Sequence, residues 1–127
     1  MPLRAPELLA AIDFDAMEAR RLLSGGWARQ LYVYTRGYEG ELRARMFTTD
    51  PGIIEDPATG SAAAALAGVL GSEADTDGTF EWTLHQGLEM GRPSEIHISV
   101  DRVGGKLTAV RVGGRSVLMS DGLLGTG

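Results

Sequence analysis

The sequence predicts an α+β domain: a strongly curved antiparallel sheet, barrel-like, wrapped around one central buried helix at about residues 60–71. Three observations carry this. From Ala62 to Leu70 every residue except Gly68 is apolar, and a helix with no polar side is a buried one. Short runs rich in β-branched and aromatic residues flank that stretch. Many of the 18 glycines fall between these runs, where tight turns need them. A chain of 127 residues is one domain's worth, large enough for a single core spanning 1–127.

The elements follow in order. Asp15-Ala-Met-Glu18 reads as a capping box, with Gly25 as a stop after Leu22 and Leu23, so a short surface helix is expected there. QLYVYT (30–35) is rich in strand formers. After a turn at Gly37 to Gly40, residues 41–48 alternate, with Leu42, Ala44 and Met46 on one face and Arg43, Arg45 and Phe47 on the other. Together they predict a hairpin. The alanine-rich helix comes next, its small side chains letting neighbours approach closely. TFEWTLHQ (79–86), IHISVD (96–101), LTAVRV (107–112) and SVLM (116–119) are four further strands, with Gly104-Gly105 and Gly113-Gly114 as hairpin turns between the later ones.

Composition excludes several function classes. There are no cysteines, which removes disulfides, thiolate metal sites and cysteine redox chemistry, and fits a reducing cytoplasm. No apolar run reaches the roughly 18 residues of a membrane span, and MPLRAPELL lacks the apolar core of a signal peptide. A net charge of −5 argues against nucleic acid as a partner. Eleven of the twelve basic residues are arginines, a lineage bias before it is a functional signal. His85 and His97 lie on separate strands without ligand-like spacing, so no metal is expected. The phosphate-loop pattern is absent, since the one lysine is Lys106, and Ser61 lacks the flanking glycines of a hydrolase elbow.

What remains is the start of the buried helix, EDPATGSA (55–62). The first backbone N–H groups of a helix have no partners within it, and the helix dipole places about half a positive charge there. Thr59, Gly60 and Ser61 sit where those groups begin: glycine admits a ligand to the backbone, and hydroxyls can donate to it. Such an end suits a carboxylate. Asp56, held by the rigid Asp-Pro step, is placed to accept or relay a proton. The same residues also suit ordinary helix capping, worth roughly 1 kcal/mol each, and both readings fit the residues alone. Glu55 reads as a solvated neighbour, and the two histidines as strand residues.

ARMFTTDPGIIEDPATGSAAAALAGVL (44–70) resembles the signature segment of the PhzF family of phenazine-biosynthesis isomerases, and HQGLEMGRPSEIHI (85–98) resembles its second signature. The resemblance runs from about Leu31 to Leu118, with the first 25 residues matching loosely. It implies a fold similar to diaminopimelate epimerase, in which two pseudo-symmetric lobes each wrap a sheet around a helix and share a site between them. Carried over, Asp56 matches the active-site aspartate, and Gly60 and Ser61, beside Thr59, match the substrate-binding helix end. Gln86, Gly87 and Arg92 belong to the second signature, as substrate-binding residues or as the shape of a turn. The implied reaction is a cofactor-independent proton shift on a small carboxylate substrate, a dihydro-hydroxyanthranilate in PhzF itself. Family members are about twice as long, with their principal acid/base glutamate in the N-terminal lobe. This chain corresponds to the C-terminal lobe and so to half a site. Two expectations follow: an isomerase lobe completed by an N-terminal lobe, or a non-catalytic anion-binding module that pairs with a second copy of itself as a homodimer.

Overall fold

A computed structural model describes residues 1–37, 40–50, 52–123 and 125. The element order is β1 (Pro2–Leu3), α1 (Pro6–Ala10), α2 (Ala16–Leu23), β2 (Gln30–Arg36), β3 (Glu41–Thr48), β4 (Glu55–Asp56), α3 (Gly60–Ser72), β5 (Gly78–Gln86), β6 (Ser94–Val103) and β7 (Lys106–Gly114). Among the described residues the strands form one 7-stranded sheet in the order β1-β2-β3-β5-β6-β7, with β4 paired to β3.

Local chemistry accounts for most boundaries. Asp15 caps α2 as expected, its Oδ1 accepting from the N–H groups of Met17 and Glu18 at 2.9 Å each. The reciprocal half of the capping box is absent, because Glu18 turns to Arg21 instead. β2 and β3 form the predicted antiparallel hairpin, with Gln30 opposite Thr48 and Arg36 opposite Leu42. Within its predicted turn, Tyr38 and Glu39 lie outside the described residues. Gly104 and Gly105 make the β6–β7 turn, both at positive φ (60° and 76°), and Asp77 accepts from both of their N–H groups.

The structure departs from the sequence expectations in four places. The sheet is mixed, not wholly antiparallel: β3 and β5 run parallel, with α3 as the crossover between them, and β1 lies parallel to β2. Helix α3 is buried along Ala63, Leu66, Ala67, Leu70 and Gly71 only; Ala65 and Val69 lie on an open side. Gly113 and Gly114 end β7 in register with His97 and Ile96 and make no turn. Residues 116–119 form no strand, and Val117, Leu118 and Met119 stand exposed. They have no neighbouring strand to satisfy their backbone, so β-propensity alone does not order them.

Two apolar clusters hold the fold. The larger packs α3 against Leu42 and Ala44 of β3, Leu84 of β5 and Ile96, Ile98 and Val100 of β6. The smaller, on the opposite face of the sheet, joins Leu9 of α1 to Val33 and Phe47, with Phe14 stacked on Phe47 at 4.6 Å between ring centroids. Both faces of β3 are therefore covered.

Candidate functional site

Strand β4 is two residues long, yet it sorts the two adjacent carboxylates of the signature. Glu55 lies opposite Phe47 and Asp56 opposite Met46, and alternation sends them to opposite faces of the sheet. Glu55 is no solvated neighbour. Its oxygens accept from Arg45 Nε at 2.8 Å and Nη2 at 2.9 Å, and Arg45 Nη1 also donates to the carbonyls of Leu9 and Ile12, at 3.1 Å each. The bidentate contact holds the Arg45 guanidinium above its ordinary pKa. Arg45 also lies over the Phe47 ring, 4.7 Å from its centroid. Glu55 thus ties β4 to the N-terminal segment.

Asp56 faces the side of α3. Its Oδ2 accepts from the Thr59 hydroxyl at 2.6 Å, a charge-assisted bond. Thr59 occupies the N-cap position of α3 without capping it. The helical ladder begins with Ala63 N–H donating to the Thr59 carbonyl at 3.0 Å. The N–H groups of Gly60, Ser61 and Ala62 therefore project from the helix end without partners among the described residues. Gly60 and Ser61 are exposed. The capping reading of Thr59 is thereby displaced: its hydroxyl serves Asp56, and the helix end stays open.

The second signature stretch meets the first here. Gln86, at the end of β5, is fully buried. Its Nε2 donates to the Asp56 carbonyl at 2.7 Å and to Thr59 Oγ1 at 3.0 Å. Its Oε1 accepts from the Tyr32 hydroxyl at 2.8 Å and from the Thr59 N–H at 3.4 Å. Gly87 follows at φ 78°; a Cβ there would press on the carbonyl oxygens of Arg92 and Pro57, the latter at 2.9 Å. That close approach lets the two stretches lie backbone to backbone. Arg92 closes the turn through its N–H to the Gly87 carbonyl at 2.9 Å, while its side chain is exposed.

The structure thus gathers Asp56, Thr59, Gly60, Ser61 and Gln86 at one helix end. Gly87 and Arg92 shape the adjoining turn. The histidines stand apart: His85 pairs in register with Arg43, and His97 lies 3.1 Å from Glu95 on exposed surface. Among the described residues no group of three or more His, Cys, Asp or Glu is arranged to hold a metal, and no helix is long and apolar enough to cross a membrane. Sequence reasoning missed Tyr32. Its signal lay in register, since Tyr32 opposes Met46 and Met46 opposes Asp56 across three strands. Burial, and then the Asp56 charge, pushes the Tyr32 phenol well above its ordinary pKa, so it stays a donor at neutral pH.

A carboxylate with one oxygen held by a hydroxyl, beside an open helix end, can exchange a proton with an anion seated on that end. The chain is similar to known proteins in sequence and in fold. The chain is 46% identical over 97 residues to an uncharacterised isomerase of Mesorhizobium japonicum, covering 73% of this chain and 32% of that protein. It is 36% identical over 80 residues to the trans-2,3-dihydro-3-hydroxyanthranilate isomerase of Pseudomonas aeruginosa, covering 63% of this chain and 29% of that enzyme. The chain therefore spans about a third of the length of these relatives. Its fold is shared with a PhzF-family phenazine biosynthesis protein of Bacillus anthracis, at TM-score 0.69 and 21% identity, over 89% of this chain and 40% of that one. The PhzC-PhzF family model, described as phenazine biosynthesis-like protein, matches residues 1–122. That match takes in the opening segment, where the sequence resemblance was loose, and with it the Arg45–Glu55 tie to α1. The chain belongs to the PhzC-PhzF family.

Proposed function

We propose that this chain, residues 1–127, is the C-terminal lobe of a PhzF-like isomerase that moves a proton on a small carboxylate-bearing substrate, its site completed by a second lobe or chain. One observation carries the reading: Asp56 is held by Thr59 at a helix end that no side chain caps. The substrate carboxylate sits on the Gly60, Ser61 and Ala62 N–H groups, and Asp56 takes or returns the migrating proton. The sheet and α3 form most of a diaminopimelate epimerase-like lobe, with α3 as its central helix. The remaining site wall, with a second acid/base group, comes from the partner. No cofactor is required for such a shift, and the cytoplasm is the compartment we assign.

The experiment is solvent deuterium exchange into trans-2,3-dihydro-3-hydroxyanthranilate, the substrate named for the Pseudomonas aeruginosa relative. The chain is assayed alone and with an N-terminal PhzF lobe supplied as a second chain. Exchange is expected only with both, and Asp56→Asn should reduce it by about 10²–10⁴-fold, the usual worth of a positioned acid/base group. Exchange unaffected by Asp56→Asn removes Asp56 from the chemistry.

A second reading has its own support. An apolar groove of about 710 Å³ runs along the open side of α3, past Tyr32, Leu31 and Met46. A non-catalytic anion-binding module that pairs with a second copy through this face accounts for such a groove.

A further inference from the structure

We propose that Gln86 is a positioning residue: its buried amide fixes the direction of the Thr59 hydroxyl, committing that proton to Asp56 Oδ2. This goes beyond the reading of Gln86 as a substrate contact, and its functional meaning rests on Asp56 being the reacting carboxylate.

Counting donors and acceptors fixes the amide. The Asp56 carbonyl, 2.7 Å away, can only accept, so the amide atom facing it is nitrogen. The opposite assignment would set two acceptors against each other there and two donors against each other at the Thr59 N–H. With Nε2 so placed, its second proton goes to Thr59 Oγ1 at 3.0 Å. The Thr59 oxygen is then an acceptor toward Gln86, and its one proton is left for Asp56 at 2.6 Å. At the far end the Tyr32 hydroxyl donates to Gln86 Oε1 at 2.8 Å.

The side chains of Tyr32, Gln86, Thr59 and Asp56 thus form a chain of one polarity, each linking side-chain donor pointing toward the carboxylate. Such chains strengthen cooperatively in a site of low dielectric. Gln86 is fully buried and its polar atoms are all engaged inside the protein. It acts through Thr59, not on a ligand. Asp56 Oδ1 has no partner among the described residues and is the oxygen left for a substrate proton.

The test is carboxyl-carbon NMR of the 127-residue chain at pH 7 without substrate, so its outcome is independent of whether the protein is an isomerase. Thr59→Val and Gln86→Glu should displace the Asp56 carboxyl resonance in the same direction. Glutamate is nearly isosteric, and as a carboxylate it cannot donate and draws the Thr59 proton to itself; its own carboxyl resonance in the same spectrum reports that it is ionised. Thr59→Ser, which keeps the hydroxyl, should restore the original position. Tyr32→Phe should give a smaller displacement of the same sign. An unmoved Asp56 resonance in a folded Gln86→Glu chain, alongside a displaced one in Thr59→Val, overturns the proposal. Should Gln86→Glu fail to fold, the unsubstituted chain decides. A slowly exchanging Thr59 hydroxyl proton, close to the Gln86 amide protons, supports the chain of donors; rapid exchange with water overturns it.

Discussion

Glu55 and Asp56 are neighbours in the sequence with unrelated tasks, and the physical separation between them is one step of strand alternation. Glu55 meets a guanidinium whose side chain is 9% exposed, and its own is 14% exposed. A charge pair this deep is costly to break by halves, because the surviving partner stays buried and undercompensated. Glu55→Ala should therefore destabilise the fold by about 3 kcal/mol, at the low end for buried pairs because the Leu9 and Ile12 carbonyls still accept from Arg45. Asp56→Asn leaves the Arg45 contact intact and should cost under about 1 kcal/mol. Urea unfolding of both variants measures the contrast. Equal losses would contradict the division of tasks. The composition of EDPATGSA singled out Asp56 as the candidate proton carrier and left Glu55 as a solvated neighbour, with no sign of its Arg45 contact. That contact depends on which β3 residue each carboxylate faces, and a two-residue strand leaves no periodic trace.

At the scale of the element, two of the three glycines of α3, Gly68 and Gly71, have opposite environments. A Cβ at Gly71 would meet Val100 Cγ2 at 2.5 Å and Leu107 Cδ2 at 3.0 Å, whereas at Gly68 nothing lies within 4 Å. Val100 is fully buried and β-branched, so it cannot swing aside. Gly71→Ala should destabilise by about 1–2 kcal/mol, the overpacking outweighing about 1 kcal/mol of helix propensity gained. Gly68→Ala should stabilise by roughly 0.5–1 kcal/mol. Thermal unfolding of the two variants gives the signs, and like signs would place α3 differently against β6. The same helix shows what the sequence could carry. The alanine run identified the element, and its bounds held to within a residue or two. A helix apolar on every side has no moment, however, so nothing in it said which side faces the sheet or that one side stays open. The parallel β3–β5 pair was legible in principle, since a helix between two strands of one sheet is a crossover. The alternation of residues 41–48 predicted the antiparallel hairpin with β2, but it carried no sign of the parallel partner on the other edge of β3 or of the Arg45 and Phe47 packing beneath α1.

At the scale of the whole molecule, the open side of α3 decides how the chain behaves in solution. The groove of about 710 Å³ is continuous with Trp27, which is 97% exposed, and Val69, which is 52% exposed. Apolar surface of this kind is normally covered in soluble proteins, by another part of the fold or by a partner. Under the two proposed readings either occupant would remove water from the same side chains, so a second copy and a second lobe would compete for one face. Isolated chains should therefore show a weight-average mass that rises with concentration in sedimentation equilibrium. The net charge of −5 on each copy opposes contact, so association should strengthen as salt screens it. Val69→Glu should keep the chain monomeric without loosening the core, because Val69 is exposed and lies outside the core cluster. If the second lobe uses this face, supplying an N-terminal lobe should reduce self-association in proportion to its binding. A chain that stays monomeric at every concentration and salt would eliminate the self-pairing module. Of the two proposed readings, only the isomerase lobe would then remain to account for the groove.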